Sequence, residues 1–390
     1  MNLIEVTTSS LAKDFISVNV ELNKDNSNYI RPLDKDVRAV FDNKKNKSFQ
    51  SGKLIRWIVT TETGELIGRI AAFVQPKYKN KGDEFAVGGI GFFDCINNQA
   101  TANLLFDAAK KWLLQQKVQA MDGPINFGER DRWWGLLIDG FEPPLYGMNY
   151  NPTYYQNLFE TYGFQVFYNQ ICWKIGLPKK SGQLAPRLYQ AHKKFALNPD
   201  YKTAAIDKNK LEKFASDFTS IYNKAWAIHE GNKEMKTEDA LKLFTTMKPV
   251  MDENAIFFAY HKNEPIALFI SLPDLNQIFK FLDGKFNWWA KLKFLFLKKT
   301  KSCTRLVGII YGLIPEFQGS GVDYFMLAEA EKVLIEKTKY ESFEMQWQGD
   351  FNPKMLNISK NLGAKQNRRL VTYRYLFDRT KEFKRHPLIN

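Results

Sequence analysis

The chain predicts a mixed α/β fold built twice in tandem. Three observations carry that prediction: its length, one order of segments that recurs in both halves, and hydrophobic patterns that switch between strand and helix periods. At 390 residues the chain exceeds what one hydrophobic core usually organises and suits two domains. Hydrophobic residues make up 44% and aromatics 15%, enough apolar surface to offset the ordering entropy of a folded chain.

The segments repeat in order. Arg56–Val74 alternates around a Glu-Thr-Gly turn and reads as a β-hairpin, and Ala255–Ser271 reads the same way. A strand follows in each half, over 85–93 and 305–313, and then a long amphipathic helix. Aligning Gly91-Phe-Phe-Asp with Gly312-Leu-Ile-Pro pairs Ala109 with Ala330 and Leu113 with Leu334 without a gap. Next come strands at 120–127 and 342–348. The stretches Asn151–Gly163 and Asn352–Gly363 then each read as a short helix opened by Asn-Pro and closed by Gly.

Alternating strands and helices in this order predict a mixed sheet layered by helices. The first domain is expected over residues 1–178 and the second over 198–390. A linker at 179–197 carries the Pro/Gly/Lys-rich run that begins Gly176-Leu-Pro-Lys-Lys. Misalignment between the copies places one insertion within Asn126–Met148 and another within Asp274–Lys301. Both are rich in Trp and Phe, and long insertions in compact domains are commonly functional.

Composition narrows the setting. The net charge of +14 attracts polyanions: nucleic acid, anionic lipid or a phosphate-bearing ligand. Three widely spaced cysteines show neither disulfide nor metal spacing, and four histidines form no ligand cluster, so no metal is expected. Neither a signal peptide nor an apolar run of membrane-spanning length is visible, which predicts a cytoplasmic protein, at most peripheral at the inner membrane.

In the second half a strand runs into Pro315-Glu-Phe-Gln-Gly-Ser-Gly-Val322 and then a helix. Glycines at such a junction let backbone N–H groups converge on an anion, and the helix dipole adds to the attraction. This loop and the order of elements resemble the GCN5-related N-acetyltransferase (GNAT) superfamily, whose pyrophosphate motif matches Gln318-Gly-Ser-Gly except for Asp323 at its last position. The resemblance covers almost the whole chain as two copies. Ile96–Thr101, the equivalent segment of the first copy, has no glycine and resembles the degenerate half of tandem GNAT proteins. Trp134–Tyr155 with Gly91–Asp94 is similar to a bacterial group of such proteins, some of which are implicated in N-acylating sphingoid bases to ceramides.

The resemblance implies a fold of two tandem GNAT-like domains and an acyl-CoA-dependent N-acyltransferase, with acetyl-CoA or a longer acyl-CoA as co-substrate and an amine as acceptor. The donor is expected on Leu313, Gln318, Gly319, Ser320, Gly321 and Asn352. An amine attacks the thioester directly in this family, so the site must take up a proton and stabilise an oxyanion. Glu344 or Asp350 is the expected base. The family's general-acid tyrosine falls on Ser359, which leaves Tyr373 as a substitute. The groove between the halves is expected to use Asn126, Trp133, Trp134, Tyr150 and His229 for the acceptor.

Residues 283–301 mix Trp, Phe and Lys, a composition suited either to an anionic bilayer interface or to a helix buried against its domain. The leading expectation is a monomeric acyltransferase acting on a long-chain amine at the membrane face, with no specific nucleic acid. The alternatives are an aminoacyl-tRNA-dependent transferase of the peptidoglycan-bridge (Fem) type and a non-catalytic tandem scaffold that binds lipid or nucleic acid.

Overall fold

The computed structural model describes residues 1–178, 180, 185–225 and 234–389. The first half comprises β1 (Asn2–Glu5), α1 (Ser9–Asn23), α2 (Asp34–Val40), β2 (Lys53–Thr60), β3 (Leu66–Val74), β4 (Val87–Cys95), α3 (Gln99–Gln115), β5 (Ala120–Gly123), β6 (Leu136–Asp139), α4 (Tyr155–Tyr162) and β7 (Gln165–Gly176). Helix α5 (Pro186–Phe195) follows. The second half comprises β8 (Tyr201–Ala205), α6 (Leu211–Ala225), α7 (Thr237–Met247), β9 (Ile256–His261), β10 (Glu264–Pro273), α8 (Asn276–Phe279), α9 (Trp288–Thr300), β11 (Arg305–Leu313), α10 (Val322–Lys337), β12 (Ser342–Gly349), α11 (Pro353–Asn361) and β13 (Lys365–Leu376).

One continuous sheet runs β1-β2-β3-β4-β5-β13-β7-β12-β11-β10-β9-β8, with β6 paired to β13. Its centre is an exchange of final strands. β13 ends the chain's second half yet pairs with β5 of the first, and β7 ends the first half yet pairs with β12 of the second. The two exchanged strands pair antiparallel with each other, Ile171 opposite Arg369. Neither half completes its sheet from its own residues.

Within the stretch expected as a linker lies α5, whose Leu188 and Phe195 are buried in the second-half core, and Tyr189 donates to Glu331 of α10 at 2.8 Å. A helix with apolar residues along one face packs that face on a core.

The Asn-Pro pairs also part company. Asn352 caps α11 by accepting from the Met355 amide at 3.3 Å, with Pro353 in the first turn. Asn151 instead bridges β6, accepting from the Leu137 amide at 2.9 Å and donating to its carbonyl at 3.0 Å, and α4 starts only at Tyr155. The first insertion therefore folds inward as part of the sheet's wall. The second forms α8 and α9 and buries Phe279, Phe294 and Leu297 against Leu33 of the first half.

Candidate active site

The site starts from a split between two parallel strands. β11 and β12 pair only from Arg305↔Ser342 to Gly308↔Met345 and then diverge. Both strands slip register there. Against β10, Gly308 faces Ser271 and Ile310 faces Ile270, which leaves Ile309 as the extra residue of a β-bulge. Against β7, the pairing of β12 shifts between Met345 and Gln348. Bulges bend strands, and this one leaves the edge of β11 from Ile309 to Leu313 without a strand partner on the β12 side.

The gap opens into a cavity of about 540 Å³. Its walls are mostly apolar: Phe269 and Phe343 from the sheet, Leu327 and Leu334 from α10, Ile358 and Leu362 from α11. Phe258 packs on Phe214 of α6 with ring centroids 5.2 Å apart, while Phe269, one residue out of phase across the β9–β10 pair, faces α10. α6 and α10 therefore cover opposite faces of the sheet. Tyr222 of α6 nevertheless lines the same cavity, so the gap connects the two faces.

The glycine loop lies at the C-terminal end of β11. Gly319 and Gly321 adopt φ of +76° and +87°, conformations that glycine takes without steric penalty. Gly321, the N-cap of α10, has no side chain to cap with, and the Val322 amide donates to Ser320 Oγ at 3.3 Å. A Cβ built on Gly319 meets nothing within 4 Å, while one on Gly321 would touch Ala191 of α5 at 3.6 Å, so the open space lies over Gly319. Helix-start amides beside open space are an arrangement that suits a phosphate. Ser320 Oγ–H donates to the Phe317 carbonyl at 2.6 Å and shapes the turn. The acid at Asp323 accepts from the Tyr311 hydroxyl at 2.7 Å, which engages its carboxylate within the fold. Gln318, Leu313 and Asn352 stand at the loop, at the end of β11 and at the start of α11.

The equivalent place in the first half is filled. The Ile125 amide donates to the Ile90 carbonyl at 2.7 Å, which continues the β4–β5 contact past the end of β5, and a Cβ on Gly91 would sit 1.9 Å from the Ile125 oxygen. Asn98 caps α3 by accepting from the Thr101 amide at 2.9 Å, and the Tyr155 hydroxyl accepts from the Cys95 amide at 2.9 Å. In the first half, side chains and the neighbouring strand fill the place that is open over Gly319 in the second.

Glu344 lies outside the cavity wall. It is fully buried on the other face of β12, with Arg305 at 3.1 Å on one carboxylate oxygen and Arg368 on the other. Arg305 also grips Asp274 at 2.6 Å, so four charged side chains alternate in sign across β10–β13. Asp122 of β5 occupies the same position in the first copy and is bound by Arg374 of β13 at 2.6 and 2.8 Å. A buried carboxylate clamped by arginine at both equivalent places points to a shared role in fixing the strands.

Asp350 also sits outside the cavity wall, accepting from Asn169 at 2.7 Å and Arg385 at 2.6 Å. Tyr373, expected as a substitute general acid, lies away from the large cavity. Strand exchange carries it into the first-half core, where its hydroxyl donates to Glu160 at 2.8 Å, and burial raises its proton affinity. Ser359 does reach the cavity, next to Gln348 at 2.8 Å.

Trp133 and Tyr150 line a separate cavity of about 60 Å³ in the first half. Trp134 is buried, donating to the Tyr168 hydroxyl at 2.8 Å, and Asn126 donates to the Glu129 carbonyl at 3.3 Å. None of these four residues lines the large cavity. His229 lies outside the described residues.

Sequence reasoning missed Tyr222, Gln346 and Gln348 on the cavity wall. Strict alternation would send Gln346 and Gln348 to the face of Glu344. The register slip after Met345 turns them with Trp347 toward the cavity, and no sequence pattern announced it. Among the described residues, no group of three or more His, Cys, Asp or Glu could hold a metal, and no helix is long and apolar enough to cross a membrane.

No protein-family model matches the chain. The protein is 25% identical over 369 residues to a bacterial ceramide synthase of Caulobacter vibrioides, covering 93% of this chain and 94% of the relative. It is 23% identical over 367 residues to Protein YghO of Escherichia coli, covering 93% and 92%. Among solved structures it resembles a tandem GNAT protein from the clavulanic acid biosynthesis pathway, with a TM-score of 0.55 at 10% identity over 96% of this chain and 98% of that one.

Proposed function

Taking the tandem GNAT fold as premise, we propose that the protein is an acyl-CoA-dependent N-acyltransferase whose acceptor is a long-chain lipid amine met at a membrane surface. One observation carries the reading: the strand gap beyond Gly308 opens into a large apolar cavity walled by Leu327 and Leu334 of α10, the helix whose start carries the glycine loop. The donor's pyrophosphate would rest on the amides of Gly319–Gly321, and the acyl chain would occupy the apolar space beneath. The ceramide-synthase name of a relative that spans most of the chain supports a lipid amine as acceptor.

The chemistry follows from the gap. The amine, approaching from the α6 face, attacks the thioester carbonyl, and the unpaired N–H groups of β11 beyond Ile309 stabilise the oxyanion. Collapse of the intermediate breaks the C–S bond and forms the amide. An ammonium acceptor gives one proton to solvent before it attacks, and the second, released as the amide forms, ends on the departing thiolate. Tyr222, which faces the cavity from α6, is assigned the proton transfer, and Gln346 and Gln348 orient the reactants. Glu344 is assigned the role of holding β12 in place.

Thermal unfolding with CoA and with palmitoyl-CoA tests the donor site. A ligand at one hundred times its Kd stabilises by about 2.7 kcal/mol, a readable rise in melting temperature. Gly319→Asp keeps a residue that tolerates the left-handed conformation but adds a negative charge where the phosphates bind. Its expected result is a native melting temperature with no response to CoA. A wild-type protein that ignores both ligands would end the transferase reading.

A further inference from the structure

We propose that α9 and a lysine-ringed pocket at its C-terminal end form one docking surface for an anionic phospholipid bilayer, with the pocket taking a headgroup phosphate. The inference rests on the lipid-amine reading above for its purpose but on separate observations for its evidence.

The first observation is the orientation of α9. It buries Ala290, Phe294 and Leu297, spaced along one face. The opposite face is also apolar and is bare: Trp288 is 64% exposed, Trp289 73% and Phe296 65%, with Leu292 and Leu295 between them. At roughly 100° per residue these five side chains form one stripe. Lys291 and Lys298 flank one side of that stripe and Lys293 the other. Contiguous bare apolar surface of this kind marks an interaction site. Indole rings at the level of lysine ammonium groups suit the headgroup region of a bilayer.

The second observation needs the tertiary structure. A cavity of about 370 Å³ opens beside the end of α9, lined by Lys208, Lys298, Lys299, Lys301, Lys337 and Lys339. These six come from three separate stretches of chain. Among the described residues none of them has a carboxylate within 4.0 Å. The two carboxylates on the wall serve the fold instead: Asp252 accepts from the Tyr340 hydroxyl at 2.8 Å and Glu253 from the Lys208 amide at 2.7 Å. Burial, then the charge of Lys208, lowers the proton affinity of Lys298 and outweighs the opposite effect of Cys303 and Asp252, so the pocket stays short of negative charge. An anion with several oxygens meets that need.

Position separates this pocket from the donor site. Lys337 ends α10, whose other end carries the glycine loop, and 16 helical residues span about 24 Å. Donor phosphates and the lysine pocket therefore sit at opposite ends of one helix. The protein can face a membrane with α9 while its donor loop stays in water.

The test is sedimentation of the full-length protein with vesicles of phosphatidylcholine alone and with added phosphatidylglycerol, without donor or acceptor. Binding only to the anionic vesicles is expected, with a blue shift in tryptophan fluorescence. The triple substitution Trp288→Ala/Trp289→Ala/Phe296→Ala should abolish both signals. Lys299→Glu/Lys339→Glu should weaken binding by about thirty-fold, from the attraction lost at two lysines near the surface. All five positions are exposed, and an unchanged melting temperature will show that the variants fold. Equal binding to neutral and anionic vesicles, no binding at all, or variants that sediment like wild type would each overturn the proposal. Stabilisation by CoA is read separately, so loss of the docking surface and loss of the transferase reading give different results.

Discussion

Replacing Glu344 by Gln asks whether that carboxylate does chemistry or holds strands. It is fully buried, and its two oxygens meet Arg305 and Arg368, which also lie inside the sheet. Removing one partner of a buried ion pair leaves uncompensated charge and costs about 3–5 kcal/mol. The amide of Gln keeps one acceptor oxygen but puts an NH₂ against a guanidinium, so little of that loss is recovered. At a few degrees per kcal/mol, less in a chain of this length, the melting temperature should fall by several degrees. Asp122→Asn breaks the matching clamp with Arg374 in the half whose gap is closed, and it should destabilise by a similar amount. The assay pairs thermal unfolding with acyl transfer measured well below both melting temperatures. Both variants should retain turnover per folded molecule. If Glu344→Gln instead melts like wild type while its turnover drops a hundredfold or more, and Asp122→Asn stays active, Glu344 is the base and the structural argument fails.

Other perturbations separate the remaining roles. Tyr373→Phe removes a hydroxyl bonded to Glu160 and should lower stability by about 1 kcal/mol with unchanged turnover; a large loss of turnover would return Tyr373 to the mechanism. Ala330 faces the large cavity from α10, so Ala330→Phe should abolish transfer from long acyl donors while sparing acetyl-CoA, as competition assays between the two will read. Burial raises the pKa of Asp36 above its ordinary 3.8, and its hydroxyl donor is Tyr146. Ionised Asp36 therefore opposes folding at neutral pH, and the penalty fades as pH falls through the raised folded value toward 3.8. Asp36→Asn should raise the melting temperature at pH 7, and the gain should vanish in acid; a gain that persists at low pH would assign it to another cause.

Much of the candidate site was legible because its signals are local. Glycines between a strand and a helix predict a backbone that can bend and present amides, and Gly319 and Gly321 do adopt left-handed angles at the start of α10. The strands and long helices likewise follow from periodicity: the strand read at 305–313 is β11, and the helix read to Lys337 is α10. The roles expected of Glu344 and Tyr373 depended on where a side chain ends up, which spacing along one strand does not encode. Their partners, Arg305, Arg368 and Glu160, lie far away in sequence.

By itself the amino-acid order determined the doubled α/β pattern, the glycine turn before α10 and the absence of glycine at the matching place in the first copy, since each depends on residues within a few positions of one another. Only tertiary structure decided which strand neighbours which. β7 and β13 each satisfy the same hydrogen-bonding pattern, and nothing within either reveals that they trade places across the centre of the sheet. It also decided that β11 and β12 part after Gly308 and Met345, that Gln346 and Gln348 turn into the cavity, and that six lysines from three stretches surround one pocket. Strand pairing and charge convergence are contacts between distant segments, and their energies enter only once the chain has closed on itself.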